Sequence, residues 1–179
     1  MATNNIVAKN FLYDIMQGAL SDGGGIYTLG ISTGTQVIGN VIKNVRGYNY
    51  YGSGAWGVYN DEGSSNILVE GNLITDTDHG GYMLHYGSAN VVSNNVFHGG
   101  RWGEITVAKS EGHGQVSFTG NRMFPTIASF INYGVTSPMP QVSYGSNAIS
   151  PQIAPVTSAP YCGDSCSISQ AMSVGSAAK

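Results

Sequence analysis

Two adjacent carboxylates, Asp61 and Glu62, stand just before a Gly-Ser-Ser turn in a chain whose charged residues make up only 9% of positions. The chain is otherwise rich in Asn, Ser, Thr and Gly. Paired carboxyl groups are the usual machinery of glycosidic bond cleavage, because one protonates the leaving oxygen while the other activates water or attacks the anomeric carbon. The pair therefore raises the question of which other reactive side chains share its surface.

A sequence repeat predicts how that surface is built. Four segments share a template of an alternating apolar strand, a turn of small residues, a second strand and an Asn close to an apolar residue. They cover residues 25–42, 57–74, 81–97 and 104–123, and a partial copy covers 4–12. The marker residues are Asn10, Asn40, Asn72, Asn95 and Asn121, which are 23 to 32 residues apart. Strands repeating at this interval indicate an all-β solenoid, a parallel β-helix of about five coils. We expect the asparagines to form hydrogen bonds along the stack.

The repeat also predicts the domain organisation. Residues 1–136 form the β-helix, and residues 137–179, which are rich in Ser, Pro and Ala, form a C-terminal cap or tail. Cys162 and Cys166 are the only cysteines, too few for a four-thiolate zinc site. They form either a local disulfide or two free thiols.

Charge and hydropathy restrict the classes of partner that the sequence predicts. The net charge is −3 and the seven Lys and Arg residues are scattered, so no strip could neutralise a phosphate backbone. No apolar run approaches the roughly 20 residues that span a bilayer, and residues 1–10 lack the features of a signal peptide. The sequence thus predicts neither a nucleic acid nor a membrane partner, and it leaves the oligomeric state open.

Stacking the coils predicts a site. Alignment on Gly25, Gly57 and Gly81 places Asp61 opposite Leu29 in the coil below and His85 in the coil above. Reactive side chains then collect on one side of the solenoid: Asp22, Asp61, Glu62, Asp78, His79, His85, Glu111 and His113, with Trp56 and Trp102 nearby. Indole faces can stack on sugar rings. Because outward strand positions are often polar, a merely solvated face is the alternative. Strand alternation further predicts that Glu62 turns away from Asp61.

Several strings resemble one enzyme family. They are DGGGIYTLG (22–30), GAWGVYNDEGSSNILVEGN (54–72), HYGSANVVSNNVF (85–97) and EGHGQVSFTGN (111–121). Together they resemble the right-handed parallel β-helix glycoside hydrolases of the pectate-lyase-like superfamily, nearest to family 141, which contains an α-L-fucosidase and a xylanase. The resemblance covers about residues 4–124, and since family members are several times longer, it implies a fragment or a short member.

The resemblance implies roles for particular residues. The catalytic acids would be Asp22 and Asp61, which lie 39 residues apart on successive coils. The resemblance also implies supporting roles for His85, Glu111 and His113. The stacking of the coils adds further candidates for substrate-binding or supporting roles on the same side: Trp56, Glu62, His79 and Trp102. The partner would be a polysaccharide or oligosaccharide, and the location extracellular or periplasmic, although no signal peptide is present in this chain.

Three functions follow from these residues. The first is hydrolysis of glycosidic bonds in a plant-type or other acidic or neutral polysaccharide by two aspartates, without a cofactor or metal. The second is a polysaccharide lyase that holds Ca²⁺ through Asp22, Asp61 and Glu62, with Lys109 or Arg101 as the base. The third is a non-catalytic carbohydrate-binding or structural β-helix.

Overall fold

Three parallel β-sheets of six, six and five strands run along the described part of the molecule, and successive coils add one strand after another to each sheet. The fold is seen in a computed structural model, which describes residues 2–48, 54–109, 112–126, 131–133 (backbone only) and 141–149. Every strand pairing is parallel and joins one coil to the next. The expected all-β parallel β-helix of about five coils is confirmed.

The strands follow one another in the order sheet A, sheet B, sheet C. Sheet A contains β1 (Ile6–Ala8), β4 (Ile31–Ile38), β7 (Ser65–Glu70), β10 (Asn90–Ser93), β13 (Val116–Thr119) and β16 (Val142–Gly145). Sheet B contains β2 (Phe11–Ile15), β5 (Val41–Val45), β8 (Leu73–Thr77), β11 (Val96–His98), β14 (Arg122–Phe124) and β17 (Ala148–Ile149). Sheet C contains β3 (Gly23–Thr28), β6 (Ala55–Asn60), β9 (Gly80–Leu84), β12 (Ile105–Val107) and β15 (Ile131–Tyr133).

The core lies between the three sheets and is built from columns of apolar side chains. In sheet B the register stacks one inward residue from each coil: Leu12, Ile42, Ile74, Phe97 and Met123. In sheet C the corresponding column is Ile26, Val58, Tyr82 and Ile105. Because alternate residues of a strand point to opposite faces, Ile67 and Val69, and likewise Val116 and Phe118, turn inward as their spacing predicts.

A ladder of asparagines follows sheet A in every coil. The Asn72 side-chain oxygen accepts hydrogen bonds from the backbone and side-chain nitrogens of Asn40, each at 2.9 Å. Its amide nitrogen donates to Asn95 Oδ1 and to the Val37 carbonyl oxygen, again at 2.9 Å. The same pattern recurs along the stack, so the predicted structural role of these asparagines is confirmed.

The β-helix continues beyond residue 136. Strands β16 and β17 add to sheets A and B, and Asn147 extends the ladder by accepting from Asn121. Parallel strand pairing therefore extends past the predicted boundary at 136. The remainder of segment 137–179, with Cys162 and Cys166, lies outside the described residues. In the described ranges, no helix is long and apolar enough to cross a membrane.

Candidate active site on sheet C

The outer face of sheet C brings Asp61 and His85 together. Asn60 pairs with Thr28 below and Leu84 above, so the residues that follow them stack in turn. The Asp61 backbone N–H donates to the Thr28 carbonyl at 2.9 Å, and the His85 N–H donates to the Asn60 carbonyl at 3.0 Å. The predicted register is confirmed, and His85 Nδ1 lies 2.5 Å from Asp61 Oδ1.

Asp61 is held by several donors at once. The Tyr27 hydroxyl, from the coil below, donates to Oδ2, while His85 approaches Oδ1. Burial alone would raise the pKa of Asp61, but the hydrogen bonds from Tyr27, His85 and the Glu62 backbone, with the charge of His85, outweigh it. The pKa of Asp61 is therefore below its ordinary value, and the group is a carboxylate at neutral pH.

His85 has one ring nitrogen without a hydrogen-bond partner in the described residues. Its side chain is 21% exposed, compared with 12% for Asp61. Nδ1 is engaged by Asp61, whereas Nε2 makes no hydrogen bond within the described residues. Since a carboxylate can only accept, the hydrogen bond places a proton on Nδ1. In the neutral imidazole, Nε2 then carries the lone pair.

Asp22 reaches the same region through a second tyrosine. Its Oδ1 accepts a hydrogen bond from the Tyr59 hydroxyl at 3.0 Å. The rings of Tyr59 and Tyr27 meet edge to face, with centroids 5.1 Å apart. Burial raises the pKa of both tyrosines, and the charges of Asp22 and Asp61 each raise it further for both rings. The two acids therefore share one electrostatic neighbourhood, which we call the sheet C site: Asp22, Tyr27, Tyr59, Asp61 and His85.

Local backbone geometry also places Asp22. The residue adopts a left-handed conformation with φ of 58°, and its N–H donates to the Gly54 carbonyl at 2.9 Å. Aspartate tolerates this conformation better than most residues. Asp22 thus enters β3 with its side chain exposed at the edge of the site.

Trp56 supports the site from beneath. It is buried, its indole N–H donates to Thr106 Oγ1 at 3.0 Å, and its ring packs on Tyr59 at 5.2 Å. The expectation that Trp56 offers its face to a sugar is wrong, because the ring is covered. The exposed aromatic side chain of the site is Tyr27, at 46%.

His79 belongs to a structural corner. Its ring is fully buried, accepts the Ala55 N–H on Nδ1 at 3.0 Å, and meets Trp102 edge-on at 3.9 Å. Burial, together with the charge of Arg101, lowers the pKa of His79 to about 4. A side chain at Gly54 would overlap the imidazole, which explains the glycine there. His79 is therefore a neutral packing residue, with Trp102 beside it.

Asp78 and His113 lie apart from the sheet C site. The Asp78 carboxylate is bound by Arg46 at 3.2 Å and by the Gly47 N–H at 2.8 Å. His113 Nε2 lies 3.0 Å from the carbonyl oxygen of Lys109, within its own loop. Glu62 is exposed at the turn directly after Asp61, and its charge also raises the pKa of Tyr27. Glu111 lies outside the described residues. The prediction of one continuous surface of eight ionisable groups is therefore wrong, because His79 is buried and Asp78 is paired with Arg46.

Sequence reasoning missed the two tyrosines. Both occupy one column of sheet C, since Tyr27 pairs with Tyr59 in the register. The Tyr found two residues after Gly25 and again two residues after Gly57, in GGIYT and WGVYN, is the available signal. The repeat does not predict that each tyrosine hydroxyl reaches diagonally to a carboxylate on a different coil.

The described residues offer no ready metal site. In this part of the chain, no group of three or more His, Cys, Asp or Glu side chains lies close enough to hold an ion. Both oxygens of Asp61 are already engaged by protein donors.

Comparison with known proteins identifies the family. A family model described as a right handed beta helix region matches residues 2–138. The chain belongs to the right-handed β-helix family. No match was found among curated proteins or among solved structures. The family match supports the β-helix part of the expected resemblance and gives no support to the narrower assignment to glycoside hydrolase family 141.

Proposed function

We propose that this β-helix is a carbohydrate-active protein that hydrolyses glycosidic bonds of a polysaccharide at the sheet C site. The observation that supports this most is the pair of carboxyl groups, Asp22 and Asp61, placed on neighbouring coils of one outer face and linked through Tyr59 and Tyr27. Membership of the right-handed β-helix family is compatible with such a function. An external polysaccharide as substrate would place the protein outside the cytoplasm.

The surroundings of the two acids suggest different roles. Hydrolysis needs one carboxyl group that gives a proton to the leaving oxygen and one ionised group on the side of the attack. Asp61 suits the ionised role, because three hydrogen bonds stabilise its charge. Asp22 is then left for the acid role, which requires its protonated form when substrate binds, and the exposed ring of Tyr27 offers a stacking surface for a sugar.

The test is turnover on a panel of plant polysaccharides that includes pectin and xylan, measured by the release of reducing ends. We expect wild-type protein to cleave at least one of them, and Asp22→Asn and Asp61→Asn each to lose at least about 100-fold in kcat/KM. The matched control is Asp14→Asn, an exposed aspartate on sheet B, which should retain wild-type activity. Circular dichroism would check that all three variants remain folded.

Other outcomes point to the alternative functions. Full activity in either Asp22→Asn or Asp61→Asn would contradict the proposal that two acids carry out the hydrolysis. Unsaturated products that absorb in the ultraviolet, and are lost on chelation, would support a Ca²⁺-dependent lyase. Glycan binding without any turnover would support a binding module.

A further inference from the structure

We infer that His85 is the base that takes the proton from the attacking water, and that Asp61 acts through His85 as a positioning residue. This inference rests on the proposed function and refines the role of one of its two acids.

Asp61 has little capacity left for a reacting molecule. Its Oδ2 accepts from Tyr27, its Oδ1 accepts from His85, and the Glu62 backbone N–H donates to the same carboxylate. A carboxylate has about four lone-pair positions, so three of them are engaged by the protein. The side chain is also the less exposed member of the pair, at 12% against 21% for His85.

His85, unlike Asp61, keeps an atom that can meet a reacting molecule. Its Nδ1 is tied to Asp61, and its Nε2 makes no hydrogen bond within the described residues. The neutral ring therefore presents its lone pair at Nε2, while a carboxylate behind it stabilises the cation that forms on protonation. Tyr27 in turn fixes Asp61 from the other side, so the ring orientation is set by two neighbouring coils.

Hydrolysis at this site would be a single displacement at the anomeric carbon. A water molecule between His85 Nε2 and the anomeric carbon gives one proton to Nε2 while its oxygen forms the new bond to that carbon. The glycosidic carbon–oxygen bond breaks, and the leaving oxygen receives the proton of Asp22. His85 then releases its proton to solvent and Asp22 takes one up from solvent, so both groups return to their starting states. Because water attacks directly and no covalent sugar intermediate forms, the product should have the inverted anomeric configuration.

The decisive variant is His85→Asn. An asparagine amide nitrogen can keep the donor to Asp61 that Nδ1 provides, but it has no counterpart of Nε2. We expect kcat to fall by about 100-fold or more with KM little changed, and free imidazole to restore part of the activity of His85→Ala. Nitrogen-15 NMR of the imidazole should show the Nδ1–H tautomer in wild type. In Asp61→Asn, where the amide can donate to Nδ1, the proton should move to Nε2.

Failure of this inference is distinguishable from failure of the proposed function. Wild-type turnover with full activity in His85→Asn, a retained anomeric configuration, or an Nε2–H tautomer in wild type would each overturn the role of His85 and leave glycan hydrolysis standing. Absence of wild-type turnover on every glycan would remove the proposed function, and the base role with it. The Asp14→Asn protein serves as the control for activity and for the NMR spectra.

Discussion

At the scale of single residues, Asp61 shows how hydrogen bonding can outweigh desolvation. A carboxyl group this well covered would ordinarily favour its neutral form. Here Tyr27 and His85 donate to opposite oxygens, and the net effect is a lowered pKa. The folded-state pKa lies below the unfolded one, so the stability that Asp61 contributes is present above the ordinary aspartate range. It is lost as the pH falls through the lowered folded value.

Replacing Tyr27 with Phe tests this balance. The change removes one donor to the carboxylate, so the pKa of Asp61 should rise. At pH 7 the free energy of unfolding should fall by about 1.5–3 kcal/mol, the usual contribution of a hydrogen bond to a charged group. The difference from wild type should shrink in acid, where Asp61 is protonated. Carbon-13 NMR titration of the Asp61 carboxyl and urea unfolding at several pH values would measure both effects.

The control is Tyr13→Phe, a change to an exposed tyrosine of sheet B. It should leave the titration of Asp61 and the stability unchanged. An unaltered Asp61 titration in Tyr27→Phe would show that His85 and the Glu62 backbone alone hold the charge.

At the scale of elements, the corner between β11 and β12 is held by a buried acid. Glu104 is fully buried, and its Oε1 accepts the N–H groups of Gly99 and Gly100 at 2.9 and 3.3 Å. Its Oε2 is buried without a hydrogen-bond partner within the described part of the chain. Burial raises the pKa of Glu104 to about 8, against the lowering effect of the backbone donors. The corner is therefore built for a neutral carboxyl group.

The pH dependence of stability follows from that value. Because the folded pKa of Glu104 exceeds the unfolded one, its contribution is fully present below about pH 4.5 and is lost as the pH rises through about 8. In Glu104→Gln, the side chain stays neutral, so the loss of up to about 1.4 kcal/mol per pH unit should vanish. The variant should become the more stable protein above pH 8.

Urea unfolding of both proteins between pH 4.5 and 9 would measure the difference. His79 contributes a slope of opposite sign, since its pKa is lowered to about 4, but it is common to both proteins and cancels. Glu70→Gln, a partly exposed acid of sheet A, should parallel wild type. A constant difference between wild type and Glu104→Gln across this range would contradict the buried neutral carboxyl.

The sequence predicts the strands wherever the repeat recurs, but it does not predict the side-chain contacts. The glycine alignment gives the register that stacks Asp61 under His85, because a parallel ladder fixes the neighbours of every strand position. The same alignment grouped His79 with them, although it packs into a corner against Trp102. Nothing in the spacing distinguishes an outward imidazole from an inward one at a bend. The tyrosine contacts could not be predicted for a related reason, since the rotamer decides which coil a long side chain reaches.

At the scale of the whole molecule, the asparagine ladder links every coil to the next. The ladder also extends past the predicted boundary at 136: Asn147 lies in a segment without the recognisable template, yet it accepts from Asn121. In a solenoid each coil contacts only its neighbours, so stability depends on nearest-neighbour interfaces. A ladder residue in the middle serves two interfaces, and one at the end serves fewer.

This difference predicts unequal costs along the ladder. Asn72→Ala removes an acceptor for two nitrogens of Asn40 and a donor to Asn95 and Val37, all buried or partly buried. Because those groups are left without partners, the free energy of unfolding should fall by about 3–5 kcal/mol. Asn147→Ala should cost about 1–2 kcal/mol, since its site is only partly buried and water can replace the lost bonds. Urea unfolding at pH 7 would compare the two, and equal losses would contradict a ladder whose strength depends on burial between neighbouring coils.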